Sequence, residues 1–362
     1  MRILSATESI SPAIARTKLV LFKPFRFGRS WKLAATGYLG GVSSTFLPLP
    51  LIYLLFIPFV WHKDAPGSVI AIVGSAVAVM LTIYLIIFYL CSRLRFAFFD
   101  IVLNRSEFVA PAWRKYGPQS LKWTLFKLAL GSAFFALIAI PFVPLAHKIF
   151  ITFSNIHFEQ GQQPSPAFMQ VIFSFYAIFF LVYFVVGIFA LLSSLLSDFV
   201  VPSLALENTS LREAFSRVGK LVRYEPGAVA LYALMKFVIF LAGGMAVGIF
   251  FYLFLFVVLL VALILGFLAY YLLHLLHVPQ EAMTVLAIIV GMLLYFFVFI
   301  YGMFFANGTL YTLLESYAMY FLGGRYPLLG DLLDRSTPTS EPMTPPSNYL
   351  AYATPPPSNE NL

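Results

Sequence analysis

Charge is what this chain has least of. Only 10% of its 362 residues are Asp, Glu, Lys or Arg, against about a quarter in a typical soluble domain. In the 51 residues from Ala228 to Val278, only Lys236, His274 and His277 can carry a charge near neutral pH. Cysteine is scarcer still. The single Cys91 excludes an intramolecular disulfide and any zinc site built on cysteine ligands. It closes an apolar run and reads as a small buried hydrophobe. Catalytic signatures are missing as well: there is no phosphate-binding glycine loop, no His-Glu-x-x-His, no Gly-x-Ser-x-Gly and no cluster of metal ligands. No catalytic residue, metal or cofactor is therefore assigned, and an enzyme is not expected. The N-terminus carries no early apolar core with a small-residue cleavage site, so the first span is expected to direct insertion.

What fills the chain is apolar. Sixty-one per cent is hydrophobic, with 40 Phe and 20 Tyr, where a soluble domain has about 45–50%. A helix crosses a bilayer with about 20 apolar residues, and Ala228–Val278 far exceeds that. The expected fold is all-α, a multi-pass transmembrane helix bundle. Residues 1–32 form a basic amphipathic segment lying in the headgroup region, 33–326 the spanning domain, and 327–362 a disordered Pro/Ser/Thr-rich tail. Spans are expected near 33–60 (interrupted by Pro48, Pro50 and Pro58, and bracketed by Trp31 and Trp61), 68–91, 121–146, 167–196 and 282–305.

The long run itself can be threaded in two ways. One is a span from about 228 to 255 followed by a re-entrant or interfacial helix ending at His277-Val-Pro279, which gives six crossings. The other is a hairpin, which gives seven. Gly243-Gly244 comes only about 16 residues in, short of a full crossing, so six is preferred.

Basic residues alternate along this layout. Seven Lys/Arg precede the first span, seven lie between Arg93 and Lys127, and four between Arg212 and Arg223. The intervening loops carry only Lys63 and Lys148. The positive-inside rule then puts both termini in the cytoplasm of a cell membrane, expected to be a bacterial inner membrane. The net charge of +8 reads as orientation and contact with anionic lipid headgroups at the cytoplasmic face, not as nucleic-acid binding.

Two of the basic blocks resemble each other. Asn104-Arg-Ser106 matches Asn208-Thr-Ser210 at an offset of 104, and Asp100-Ile-Val parallels Asp198-Phe-Val. Ser106 and Ser210 are expected to cap short amphipathic helices. The repeating unit would be one interfacial helix plus a hairpin of two spans.

The segment Val201-Pro-Ser-Leu-Ala-Leu206-Glu-Asn-Thr-Ser210-Leu-Arg-Glu-Ala214-Phe-Ser-Arg217 resembles the membrane domain of glycerophosphoryl diester phosphodiesterases and of related bacterial six-span proteins. Ser92-Arg-Leu-Arg95-Phe-Ala-Phe-Phe-Asp100, followed by Pro111-Ala-Trp113-Arg114, is similar to the latter. The resemblance implies a membrane part inherited without the soluble phosphodiesterase barrel, which nothing in the chain could encode.

Three polar positions stand out: Lys236, Asp100 and Asp198. Lys236 lies about ten residues into an apolar span, and snorkelling toward the headgroups is its default reading. The two aspartates occupy matching places at span ends, where Arg95, Arg105 or Arg217 could pair with them. Glu315 reads as an interfacial carboxylate in water. His274 and His277 share a helix face and read as an interfacial pair. Gly37-x-x-x-Gly41 and Gly244-x-x-x-Gly248 permit close helix approach. The Pro-rich tail offers a docking segment for a protein partner. The expected function is a non-enzymatic scaffold or accessory domain engaging lipids or membrane partners. A transporter or channel is the alternative, and a lipid-active enzyme the least supported.

Overall fold

The computed structural model describes residues 2–45, 67–154 and 166–336. Among them there are helices and no strands. In chain order they are α1 (Ile10–Leu21), α2 (Phe27–Thr45), α3 (Gly67–Asn104), α4 (Val109–Lys115), α5 (Gly117–Ser154), α6 (Pro166–Glu207), α7 (Leu211–Tyr224), α8 (Pro226–Leu275), α9 (Gln280–Gly323) and α10 (Pro327–Ser336). Five of them, α3, α5, α6, α8 and α9, are long and apolar enough to cross a membrane. The second half of the first expected span, with its prolines and Trp61, lies outside the described residues, as does the tail beyond Ser336.

A short helix followed by two long segments recurs three times: α1 with α2 and α3, α4 with α5 and α6, α7 with α8 and α9. Local chemistry sets the breaks. Ser210 accepts from the Glu213 amide at 3.2 Å, and Glu213 places its charge in the first turn of α7. Pro226 then opens α8, where its missing N–H costs nothing. Ser106 does not play the same part. Phe108 precedes α4 without a side-chain cap, and the Ser106 hydroxyl is buried without a partner. The residues just after α3 and α6, Arg105 and Asn208, both take left-handed backbone angles, φ 55° and 52°. The structural offset between these units is thus 103, one less than the sequence match suggested.

The expectation for Ala228–Val278 is corrected. It is neither a hairpin nor a span with a separate re-entrant helix. Residues from Pro226 to Leu275 form one unbroken helix of 50 residues, about 75 Å long. Gly243-Gly244 does not interrupt it, because small residues weaken a helix without breaking it when its flanks are strong helix formers. The turn comes at His277, with φ 59°, and Val278-Pro279. His277 therefore sits in a turn, off the helix that carries His274. The first ten residues of the expected tail form a helix, α10, because Leu329 and Leu333 are buried against the core.

The molecule has two unlike ends. The C-terminal parts of α3, α6 and α9 converge with the start of α8 and with α1, α7 and α10 into a dense head. Phe96, Phe98, Phe99, Trp123, Tyr232 and Phe321 fill its core. Away from the head the long helices become shafts that expose most of their large apolar side chains between Ile72 and Leu90, where Tyr84 and Phe88 stay buried, and between Phe173 and Leu192, Leu234 and Leu275, and Val285 and Phe297. Glycines in α2 and α9 seat α2 in the head. A Cβ at Gly37 would meet the Phe98 ring at 2.8 Å, one at Gly41 would overlap Tyr311, and one at Gly308 would overlap the Ala34 backbone. Gly244 and Gly248 have nothing within 4 Å, so only the first of the two spaced glycine pairs serves packing within the described fold.

Candidate functional site

Four charged side chains meet inside the head, each on a different helix. Arg95 comes from α3, Asp198 from α6, Lys236 from α8 and Glu315 from α9. None is more than 5% exposed, so a missing partner at any of them would leave a charge without water. Arg95 bridges the two carboxylates: one guanidinium nitrogen lies 3.1 Å from Asp198 Oδ1, and the other donates to Glu315 Oε2. Lys236 Nζ pairs with Asp198 Oδ2 and donates to Ser194 Oγ at 2.6 Å. The Tyr232 hydroxyl donates to Asp198 Oδ2 at 2.7 Å. Its ring stacks on Tyr317 and Phe321, with centroids 5.1 and 4.4 Å away. Two cations face two anions, so the group is neutral as a whole.

The repeat explains why these residues converge. Arg95, Asp198 and Glu315 stand nine, nine and eight residues before the ends of α3, α6 and α9. Those are the second long helices of the three units, and all three touch one another. Equivalent positions carry complementary charges, and the pseudo-symmetric packing brings them to a common centre. Lys236 completes the group from the adjoining α8.

Two donors at this centre remain unused. Arg95 Nε and the Tyr317 hydroxyl are buried without partners. Nearby, Lys127 of α5 donates to the Ser43 carbonyl of α2 and lies 5.6 Å from the Phe88 ring centroid. It is a further buried cation beside the two of the cluster, held by a neutral acceptor and an aromatic face.

Of the three positions singled out from sequence, Lys236 and Asp198 lie in this cluster and Asp100 does not. Lys236 does not snorkel; its amine turns inward to Asp198. Asp100 accepts from the Tyr116 hydroxyl at 2.6 Å and from Lys115 Nζ at 3.0 Å, at the α3–α4 corner. The two aspartates are therefore not equivalent. With an offset of 103, Asp198 corresponds to Arg95. Glu315, expected in water, is buried against Arg95. From sequence Arg95 is only a partner for the aspartates; in the structure it bridges Asp198 and Glu315. The signal that could have found Arg95 and Glu315 was their similar distance from the helix ends, which pairing Asp100 with Asp198, five residues out of the structural register, hides.

A second, more exposed network closes the head's rim. Arg217 of α7 holds Glu207 through both nitrogens, at 2.8 and 2.7 Å, and reaches Glu213 at 2.9 Å. The bond to Glu207 raises the pKa of Arg217. The Tyr326 hydroxyl donates to the same Glu207 at 2.6 Å, and burial followed by that bond raises the pKa of Tyr326. Among the described residues no group of three or more His, Cys, Asp or Glu could hold a metal ion.

Long apolar helices around a buried, neutralised charge cluster define an all-α protein whose helices are compatible with a membrane protein. The chain belongs to a family of unknown function, DUF7544, whose model matches residues 4–332. The match takes in every helix from α1 to α9 and most of α10. No curated protein and no solved structure matches the chain.

Proposed function

We propose that the chain is a non-enzymatic, multi-pass membrane scaffold or accessory domain. Its charge-locked head fixes three hairpins whose apolar faces meet lipid and other membrane proteins. The observation that carries this reading is the contrast in burial. The four charges of the head satisfy one another across α3, α6, α8 and α9, while the shafts turn large hydrophobic side chains outward along their length. Exposed apolar surface on that scale marks contact with a membrane or with partners. A cluster whose carboxylates are both committed to cations is better suited to clamping helices than to acid–base chemistry.

In this reading the segment expected at about 33–60, which begins within α2, supplies a sixth crossing, both termini face the cytoplasm, and the membrane is a bacterial inner membrane. The resemblance to the phosphodiesterase membrane domain fits a membrane part working without the barrel. Anionic headgroups are the lipid partners at the basic end, and the Pro-rich tail is a docking segment for a protein.

Photo-crosslinkers placed at Phe180, Phe267 and Phe296 on the shafts test the scaffold. Discrete protein adducts in native membranes, with no solute flux in proteoliposomes, support it. Flux that disappears in Lys236→Ala, with lipid adducts alone, contradicts it. That second outcome would favour a transporter, the one rival with an observation behind it: an ionisable pair, Asp198 and Lys236, bridging two of the long helices. A cysteine introduced at Ser347 that labels from outside intact cells would overturn the six-crossing arrangement.

A further inference from the structure

A cavity of about 310 Å³ opens where the turn between α1 and α2 meets the turn between α3 and α4. Lys23, Arg29 and Arg105 contribute cations to its wall, and Glu107 the one carboxylate. Glu107 is half exposed and answers Arg29 alone, at 2.7 Å. Arg29 Nε, Arg105 Nε and Ser106 Oγ are out of solvent and have no partner. Three lining residues thus hold unspent hydrogen-bond donors beside an excess of positive charge.

The wall behind the cavity is more electropositive still. Arg16 of α1 is 1% exposed, yet every acceptor it has is neutral. It donates to the carbonyls of Val102, Leu103 and Ser336 and to the Ser336 hydroxyl. Ser336 itself lines the cavity. Burial lowers the pKa of Arg16, and the neighbouring Arg105 cation adds to that lowering. A buried cation whose described hydrogen bonds all go to neutral oxygens, beside a second cation, is an unfavourable arrangement that an anion would relieve. Arg105 is also held at φ 55°, a backbone angle uncommon for arginine.

We propose that this cavity binds a phosphate-bearing anion, with a phospholipid headgroup as its source. Phosphate chemistry suits the donors: planar arginine forks and a hydroxyl match its oxygens. The surroundings favour a lipid over a free ion. Phe22, Phe25 and Phe27 are exposed on the turn that carries Lys23, so apolar rings flank the basic pocket as acyl chains would flank a headgroup. The proposal rests on the reading of the chain as a lipid-engaging membrane domain and names one lipid site within it.

The test uses the full chain in phosphatidylcholine nanodiscs with and without phosphatidic acid, with retained lipid counted by native mass spectrometry. The variant is Lys23→Gln combined with Arg105→Asn; asparagine accepts the left-handed backbone, so the turn is kept. Lys122→Gln with Arg223→Gln removes two exposed cations elsewhere as a control. The wild-type chain should retain phosphatidic acid preferentially. The pocket variant should lose about fivefold in retention for each cation removed, and the control should lose none. Equal retention in wild type and pocket variant overturns the pocket and leaves the general lipid reading standing. Equal loss in pocket and control variants also overturns it, as bulk surface attraction. No preference for phosphatidic acid in the wild type overturns the lipid source and, with it, the lipid-engaging part of the proposed function. Inorganic phosphate is the second arm, read as a thermal shift in phosphatidylcholine alone. Stabilisation of wild type but not of the pocket variant, without lipid preference, keeps the site and assigns it to free phosphate.

Discussion

The two ends of the molecule obey opposite rules. In the head, large side chains such as Trp123, Tyr232 and Phe321 are wholly enclosed, and even the charges are out of water. Along the shafts, residues such as Phe180, Phe250 and Phe267 stand outward, though they are as apolar as any in the core. The hydrophobic effect organises the first; on the proposed membrane reading it does not organise the second, because a side chain surrounded by lipid would gain nothing by moving against another helix. What holds the hairpins together must therefore lie in the head, and the charge cluster that ties α3, α6, α8 and α9 is the part of it that crosses every unit.

Variants that break this comparison should differ steeply in effect. Asp198→Ala strips partners from Arg95, Lys236 and Tyr232 at once and leaves two buried cations. A loss of about 3–5 kcal/mol is expected, read as a large fall in the unfolding midpoint in detergent. Gly41→Val forces a branched side chain into the Tyr311 ring and should cost about 1–3 kcal/mol by the same measurement. Ser210→Ala removes the cap of α7 and should cost about 1 kcal/mol, with faster amide exchange in its first turn. On the shafts the effects should nearly vanish. Gly248→Val and Phe267→Leu meet open space and should stay within about 0.5 kcal/mol of wild type. A shaft variant as damaging as Asp198→Ala would erase the distinction between the two ends.

How far the sequence carried depended on which end was being read. Shafts are written locally: run length and hydropathy marked α3, α5, α6, α8 and α9, because spanning a bilayer is a property of one segment at a time. The threading of α8 is not legible in the sequence for a related reason. A length limit for one crossing says nothing against a helix that continues beyond the membrane, and no residue between Pro226 and Leu275 forces a break. The head depends on convergence. Asp198 and Lys236 were visible as charges in apolar surroundings. Glu315 was not, because an isolated carboxylate near a helix end looks solvated until Arg95, 220 residues away, is placed beside it. Asp100 drew attention by its likeness to Asp198, yet the two are 98 residues apart in a repeat offset by 103, and Asp100 pairs instead with Tyr116 and Lys115. The glycine pairs show the same limit: Gly37 and Gly41 meet helices and Gly244 and Gly248 meet none, a difference that spacing cannot express.

The most direct test of the head as a clamp is a double-mutant cycle on Arg95 and Glu315, using Arg95→Met, Glu315→Met and the pair together, with stability measured by denaturation in a single detergent. Each single change leaves a buried charge unanswered and should cost several kcal/mol, about 3–5. The double change removes both charges and should recover a large part of that loss, a coupling of more than about 1 kcal/mol. Simple addition of the two single losses would contradict the account.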